Sequence, residues 1–391
     1  MRIGSVAISW LALLLSAVGL FLSLWIVIPA PVFALLPLSV GAPEISPWLL
    51  GANAIALLIA GWAGKARLSR IALGLSALAL VLSSLPSLQL PAVVQQANLT
   101  FQQQLGVDPA TPIAAFQPRP FRWRTAFTGI PLPSVRETVG IPFAEPDGVP
   151  LTLAVYQPLE RAPHPTLIAI YGGAWQRGSP TQDADLNRYL AGQGYTVIAI
   201  DYRHAPEYQF PAQLEDVRGA IAFIRAHAAE YDVDPARMAV LGRSAGAHLA
   251  MLLAYSDEAP PLRGVVNFYG PVDLATAYRQ PPVPDPIDTR AVLTAFLGNG
   301  PDQQPERYQQ ASPLYAVRPQ LPPTLMFYGG RDHVVQAQYG RALAQQLLAA
   351  GNSALYIKIP WADHAFDAVF NGPSSQLAIY YTERFLAQVL K

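Results

Sequence analysis

Val240-Leu241-Gly242-Arg243-Ser244-Ala245-Gly246-Ala247 decides how this chain folds. An apolar run, Met238 to Leu241, leads into Gly-x-Ser-x-Gly, and a helix-forming run, Ala245 to Tyr255, follows at once. That order describes a strand, a sharp turn and a helix, with the serine at the turn. Small flanks suit such a turn, because Gly242 and Gly246 let strand and helix approach closely. The helix amino terminus at Ser244 offers free backbone N–H groups and a partial positive charge, both suited to a developing oxyanion.

Outward from this turn, strands alternate with helices. Strands are expected at Val135–Ile141, Leu151–Tyr156, Thr166–Tyr171, Thr196–Asp201, Met238–Leu241, Gly264–Tyr269, Thr324–Tyr328 and Leu355–Ile359. Helical periodicity marks Ala184–Ala191, Ala212–Ala229, Ala245–Tyr255, Ala337–Ala350 and Gln376–Leu390. The later strands are unbroken apolar runs, as expected when helices cover both faces of a sheet. About eight strands in this order describe one doubly wound α/β domain over residues 133–391.

The first hundred residues differ. Only 13% of the chain is charged against 52% apolar, with a mean hydropathy of +0.25, which implies a part that sits in lipid. Apolar runs cover Ile3–Ile28, Pro47–Gly64 and Ile71–Leu88, so residues 1–90 are expected to form about three transmembrane helices. A signal peptide ending near Val32-Phe33-Ala34 is the rival for the first run, which is longer than a signal core; whether residues 1–34 are retained or cleaved stays open. Arg2 precedes the first run, and Lys65, Arg67 and Arg70 lie between the second and third. The positive-inside rule puts these cations in the cytoplasm and residues after 90 outside it. Residues 91–132, glutamine-rich and then proline-punctuated, are expected to be a polar helix end followed by a semi-rigid linker. Phe121-Arg122-Trp123-Arg124 lies in this linker, either at lipid headgroups or on the surface of the domain. Asn98-Leu99-Thr100 is a glycosylation sequon. Net charge is zero, with no basic block for nucleic acid. The absence of cysteine excludes disulfides and thiolate chemistry.

Residues from about 135 onward resemble an α/β-hydrolase of the carboxylesterase and lipase type, near the bacterial hormone-sensitive-lipase-like and feruloyl-esterase-like (BD-FAE-type) groups. The matching stretches are Tyr171-Gly172-Gly173-Ala174-Trp175, Asp201-Tyr202-Arg203-His204-Ala205-Pro206-Glu207 and the Ser244 turn. Phe268 to Leu274, Ala311 to Leu314 and Gly329-Gly330-Arg331-Asp332 match as well. The resemblance implies the α/β-hydrolase fold, a Ser-His-Asp triad and no metal or organic cofactor. By match to the family, Gly173 and Ala174 join Ala245 in an oxyanion hole, and Asp201 to Glu207 hold loops together. Two departures alter local charge: Tyr171 stands where the family usually has histidine, and Arg243 precedes the nucleophile.

A serine hydroxyl needs an adjacent base. Of six histidines, only His364 follows the last strand, where this fold carries its base. Asp332, after the strand Thr324–Tyr328, is the expected acid; its rivals are Asp363, beside the base, and Asp273. The expected function is therefore a membrane-anchored serine hydrolase acting on a small-molecule or lipid ester. A peptidase or amidase on the same triad and a non-catalytic, membrane-displayed binding domain are the alternatives. Residues 274–312, rich in proline, interrupt the strand-helix alternation and either cover the acyl pocket or decorate the surface.

Overall fold

The computed structural model describes residues 2–64, 66–113 and 116–391. Lys65, on which part of the charge argument rests, lies outside the described residues. The amino-terminal region holds α1 (Arg2–Leu24), α2 (Leu36–Glu44), α3 (Ser46–Trp62) and α4 (Arg67–Leu105), followed by the short α5 (Trp123–Thr128). Two of these, over Val6–Leu24 and Arg67–Leu105, are long and apolar enough to cross a membrane. The α2–α3 pair, bent by 77°, makes a third candidate if it counts as one broken span.

The three long helices run up, down and up. Ser9 meets Ser69 at 3.0 Å and Ser16 meets Ser76 at 2.6 Å, so α1 and α4 are parallel. Asn53 of α3 donates to Ser23 at 2.9 Å and Ser83 at 3.2 Å, while Ala60 packs with Ala12 and Ala72 at the other end, so α3 is antiparallel to both. Small residues with hydroxyls bring helices close and bond across them where lipid offers neither partner nor hydrophobic drive. One consequence is that Arg67 and Arg70 lie level with the start of α1, at the end of the bundle away from the sheet.

Downstream, the sheet has eight strands: β1 (Arg136–Ala144), β2 (Leu151–Gln157), β3 (His164–Ile170), β4 (Thr196–Ile200), β5 (Val233–Arg243), β6 (Val265–Phe268), β7 (Thr324–Gly329) and β8 (Ala354–Ile359). Their spatial order is β1-β2-β4-β3-β5-β6-β7-β8. Only β2 runs against its neighbours; the others are parallel. Each expected strand is present, with ends shifted by a few residues. The helices are α6 (Ala184–Gly192), α7 (Ala212–Ala226), α8 (Ala245–Tyr255), α9 (Leu274–Arg279), α10 (Thr289–Leu297), α11 (Pro305–Gln310), α12 (Ala337–Ala349) and α13 (Pro373–Val389). Strands β4, β6 and β7 are buried at every residue, which requires cover on both faces and accounts for their lack of polar alternation.

The expected break at residue 90 is absent. Helix α4 continues through Pro86 and Pro91 for 39 residues, and Val93, Ala97 and Phe101 enter the core of the α/β domain. Spacing of i, i+4 and i+8 puts those three on one face, while the neighbouring glutamines face water. The rest of the expected linker is also fastened down. Tyr380 donates to the Pro109 carbonyl at 2.7 Å, Gln117 N donates to Glu383 at 3.1 Å, and Arg122 N donates to Gln376 at 2.9 Å. These contacts roof α13, which is why it is buried from Pro373 to Leu386. Asn98 of the sequon accepts from Tyr381 at 2.7 Å, on a packed helix and not on a loop.

Candidate active site

Backbone geometry at the turn follows from its small residues. Ser244 has φ 50° and ψ −119°, a costly conformation for a residue with a Cβ. It is held by Ser244 N donating to Phe268 O at 2.9 Å and His248 N donating to Ser244 O at 3.0 Å. A Cβ on Gly246 would strike the carbonyls of Ile170 and Tyr171, so glycine sets the approach of α8 to β3.

Ser244, Asp332 and His364 come together from the ends of β5, β7 and β8. Ser244 Oγ donates to His364 Nε2 at 2.9 Å, and His364 Nδ1 donates to Asp332 Oδ2 at 2.8 Å. The Nδ1–H tautomer follows from Asp332 being an acceptor. The other oxygen, Oδ1, accepts from Val334 N and Val335 N, each at 2.7 Å. Asp332 is thus fixed by its own loop. Burial disfavours the imidazolium of His364, but the Asp332 charge and hydrogen bond outweigh it, with Asp363 and Asp367 adding; the pKa is raised above 6.5. Asp363 instead accepts from the backbone N of His364 at 2.7 Å, and Asp273 caps α9 by accepting from Thr276 N at 3.0 Å. Neither rival acid bonds the imidazole.

Gly173 and Ala174 line the same cavity as Ser244 and His364, which has a volume of about 540 Å³. Gly173 has φ +140°, and a Cβ there would meet the Arg177 backbone. Among the described residues, no acceptor meets the N–H of either Gly173 or Ala174. Ala245, buried, starts α8 directly after the serine. Trp175 is a core anchor: it stacks on Phe296 at 4.1 Å and donates to His248 Nδ1 at 3.2 Å. His248 Nε2 then donates to Ala311 O at 2.6 Å, and burial lowers its pKa to about 4, so it stays neutral. Residues 274–312 therefore brace the loop at Gly173 to Trp175 through Phe296 and Ala311, and also place Ile287 on the cavity wall.

Both departures from the family pattern have partners. Tyr171 donates its hydroxyl to Asp201 at 2.5 Å and accepts from His204 Nε2 at 2.9 Å, tying the glycine loop to the 201–207 loop. Arg203 is buried against Asp216, with Nη2 to Oδ1 at 2.8 Å, which makes this loop structural. Arg243 pairs with Asp183 at 3.0 Å and with Asp367, whose other oxygen accepts from Tyr269. Two carboxylates thus surround the one guanidinium, so Arg243 does not make the turn electropositive. Sequence reasoning missed Asp183, Asp367 and Tyr269, which lie far from residue 243 in the chain. The one available signal was that an arginine buried beside the nucleophile must find an acid.

Residues 153–347 match the BD-FAE family model. Esterase LipC of Mycobacterium tuberculosis is 34% identical over 247 residues, covering 58% of this chain and 59% of LipC. Esterase LipQ of the same organism is 31% identical over 248 residues, covering 59% of this chain and 58% of LipQ. The chain thus spans less than two thirds of the length of either curated relative. Among solved structures, the thermophilic esterase Est2 of Thermogutta terrifontis superposes with a TM-score of 0.55 at 26% identity, over 65% of this chain and 92% of Est2. The domain is thus similar in sequence to curated esterases and in fold to a solved esterase structure.

Proposed function

We propose that this α/β-hydrolase domain cleaves a carboxylic ester with Ser244 as nucleophile, His364 as general base and Asp332 as its orienting acid. Ser244 Oγ attacks the carbonyl carbon while His364 Nε2 takes the hydroxyl proton. The N–H groups of Gly173, Ala174 and Ala245 hold the oxyanion. The tetrahedral intermediate collapses, the C–O bond breaks, and His364 returns the proton to the departing alcohol. Water then repeats the steps and frees the acid. The observation that carries this reading is the hydrogen-bonded series Asp332–His364–Ser244, set in one cavity with the unpaired N–H groups of Gly173 and Ala174. The purified chain is expected to turn over p-nitrophenyl esters and leave aminoacyl anilides intact. Faster cleavage of the anilides would replace the ester reading with an amidase.

The base must be neutral to accept a proton, and its pKa is raised, so protonation switches it off over a wider acid range than for a free histidine. The acid limb of kcat/KM is expected to have its midpoint above pH 6.5. Asp363→Asn and Asp367→Asn, each removing a carboxylate that favours the imidazolium, should move the limb to lower pH. A pH–rate profile with an unmoved limb in both variants would contradict this assignment of charges.

We further propose that α1, α3 and α4 cross a membrane, with α2 folded back onto the hydrolase domain at its outer face, and leave that domain outside the cytoplasm. Supporting this is the grouping of Arg67 and Arg70 with the amino terminus of α1, at the end of the bundle away from the sheet. Alkaline phosphatase fused after Lys391 should be active in a bacterial host, and green fluorescent protein dark. The reverse pattern would place the domain in the cytoplasm.

A further inference from the structure

The cavity over Ser244 is not walled by the hydrolase domain alone. Phe33, from the turn that links α1 to α2, and Leu36, which opens α2, line it together with Gly173 and His364. This segment is fastened to the domain at several points. The Arg177 guanidinium lies over the Phe33 ring at 5.0 Å. Glu44 accepts from Ser374 N at 2.9 Å and from its hydroxyl at 2.5 Å. Trp48 donates to the Ala126 carbonyl at 3.2 Å and meets Phe127 edge-on at 4.7 Å. A passing contact would not bury Glu44 to 2% exposure against a domain more than three hundred residues downstream.

Between the end of α1 at Leu24 and Phe33 the chain leaves Val27, Ile28 and Val32 exposed, each by more than two fifths of its surface. Phe33 itself is half exposed, with its ring shared between the outside and the cavity. A second cavity beside Phe33 has Pro286, Ile287 and Val292 on the side of the 274–312 segment and Gln176 and Arg177 on the other. The result is an apolar strip leading from the end of a membrane-crossing helix to the nucleophile, with no polar side chain along Val27 to Leu36.

We propose that this strip is the entry path for the substrate, and that the substrate is the ester of a membrane-resident amphiphile. Its hydrocarbon chain runs along Val27, Ile28, Val32 and Phe33 while its ester reaches Ser244. The proposal rests on the ester-hydrolase reading above and narrows it to lipid-borne esters, with Phe33 and Leu36 as specificity-determining residues. The strip keeps the hydrocarbon chain out of water while its ester reaches Ser244, so a long chain depends on it and an acetyl group does not.

The test uses the full chain reconstituted in phosphatidylcholine vesicles, with p-nitrophenyl palmitate carried in the bilayer and p-nitrophenyl acetate added from water. The wild type is expected to show the higher kcat/KM on the palmitate ester. Ile28→Gln with Val32→Gln should lower the palmitate-to-acetate ratio of kcat/KM about tenfold, and Phe33→Ala should lower it as well. Complete labelling of Ser244 by a fluorophosphonate, whatever its rate, shows that each variant is folded. An unchanged ratio in labelled variants, or acetate preferred by the wild type, overturns the proposal and leaves the ester reading standing. No turnover of either ester overturns both. A purified chain beginning at Leu35 also overturns it, because the strip would then be missing.

Discussion

Ser244→Ala is expected to lower kcat on p-nitrophenyl esters by about 10⁶-fold, the scale on which serine hydrolases lose activity without their nucleophile. Only one oxygen is removed, and its side-chain partner is His364 Nε2, in a cavity open to solvent. The fold should therefore be kept, with stability within about 1 kcal/mol of the wild type. The backbone bonds that set the turn, from Ser244 N to Phe268 O and from His248 N to Ser244 O, do not involve the side chain. Turnover and a thermal melt of the same preparation check both halves. Wild-type rates in a folded alanine variant would end the serine mechanism.

For Asp332→Asn the expected loss is roughly 10⁴-fold in kcat, by analogy with the serine protease triad. The structure says how it would arise. Oδ1 is already committed to the N–H groups of Val334 and Val335, so an asparagine keeps its carbonyl oxygen there. Its NH₂ then faces His364 Nδ1, which must turn acceptor, leaving Nε2–H pointed at Ser244. The base is present but in the wrong tautomer. Asp273→Asn, by contrast, alters a helix cap and is expected to cost at most about 1 kcal/mol of stability, with little effect on rate. A crippled Asp273→Asn beside a mild Asp332→Asn would reassign the acid.

The parts of this molecule legible in sequence were those fixed by local pattern. Strands such as Thr196–Ile200 read clearly because burial on both faces forces unbroken apolar runs. Ser244 read clearly because only glycine tolerates the approach of Ile170 and Tyr171 at position 246. What depended on distant pairing was not legible. Nothing near residue 243 announces Asp183 or Asp367, and nothing near Phe33 announces that it faces Ser244. The boundary at residue 90 was drawn where the apolar run ends, and a polar helix end after it was expected, but not one that reaches Leu105 and packs into the α/β core. The apolar face of Val93, Ala97 and Phe101 was in plain view but sparse. Serines recurring every seventh residue, at 9, 16 and 23 and again at 69, 76 and 83, were equally visible. Only the pairing of the two series gives them meaning.

The unbroken course of α4 sets how far the nucleophile can roam. A flexible tether as long as residues 91–132 would let a domain wander roughly 35 Å in root-mean-square terms, at about 5–6 Å times the square root of its length. Instead the apolar run carries on as one helix about 58 Å long, taking roughly 1.5 Å per residue over its 39 residues from Arg67 to Leu105, and its far end is mortared into the core at Phe101. If that helix stands in a bilayer, Ser244 works at one altitude above it, like a tool on a fixed mast. Encounters then become a matter of diffusion in two dimensions: material passing at that level is sampled repeatedly, and material elsewhere in the compartment is out of range.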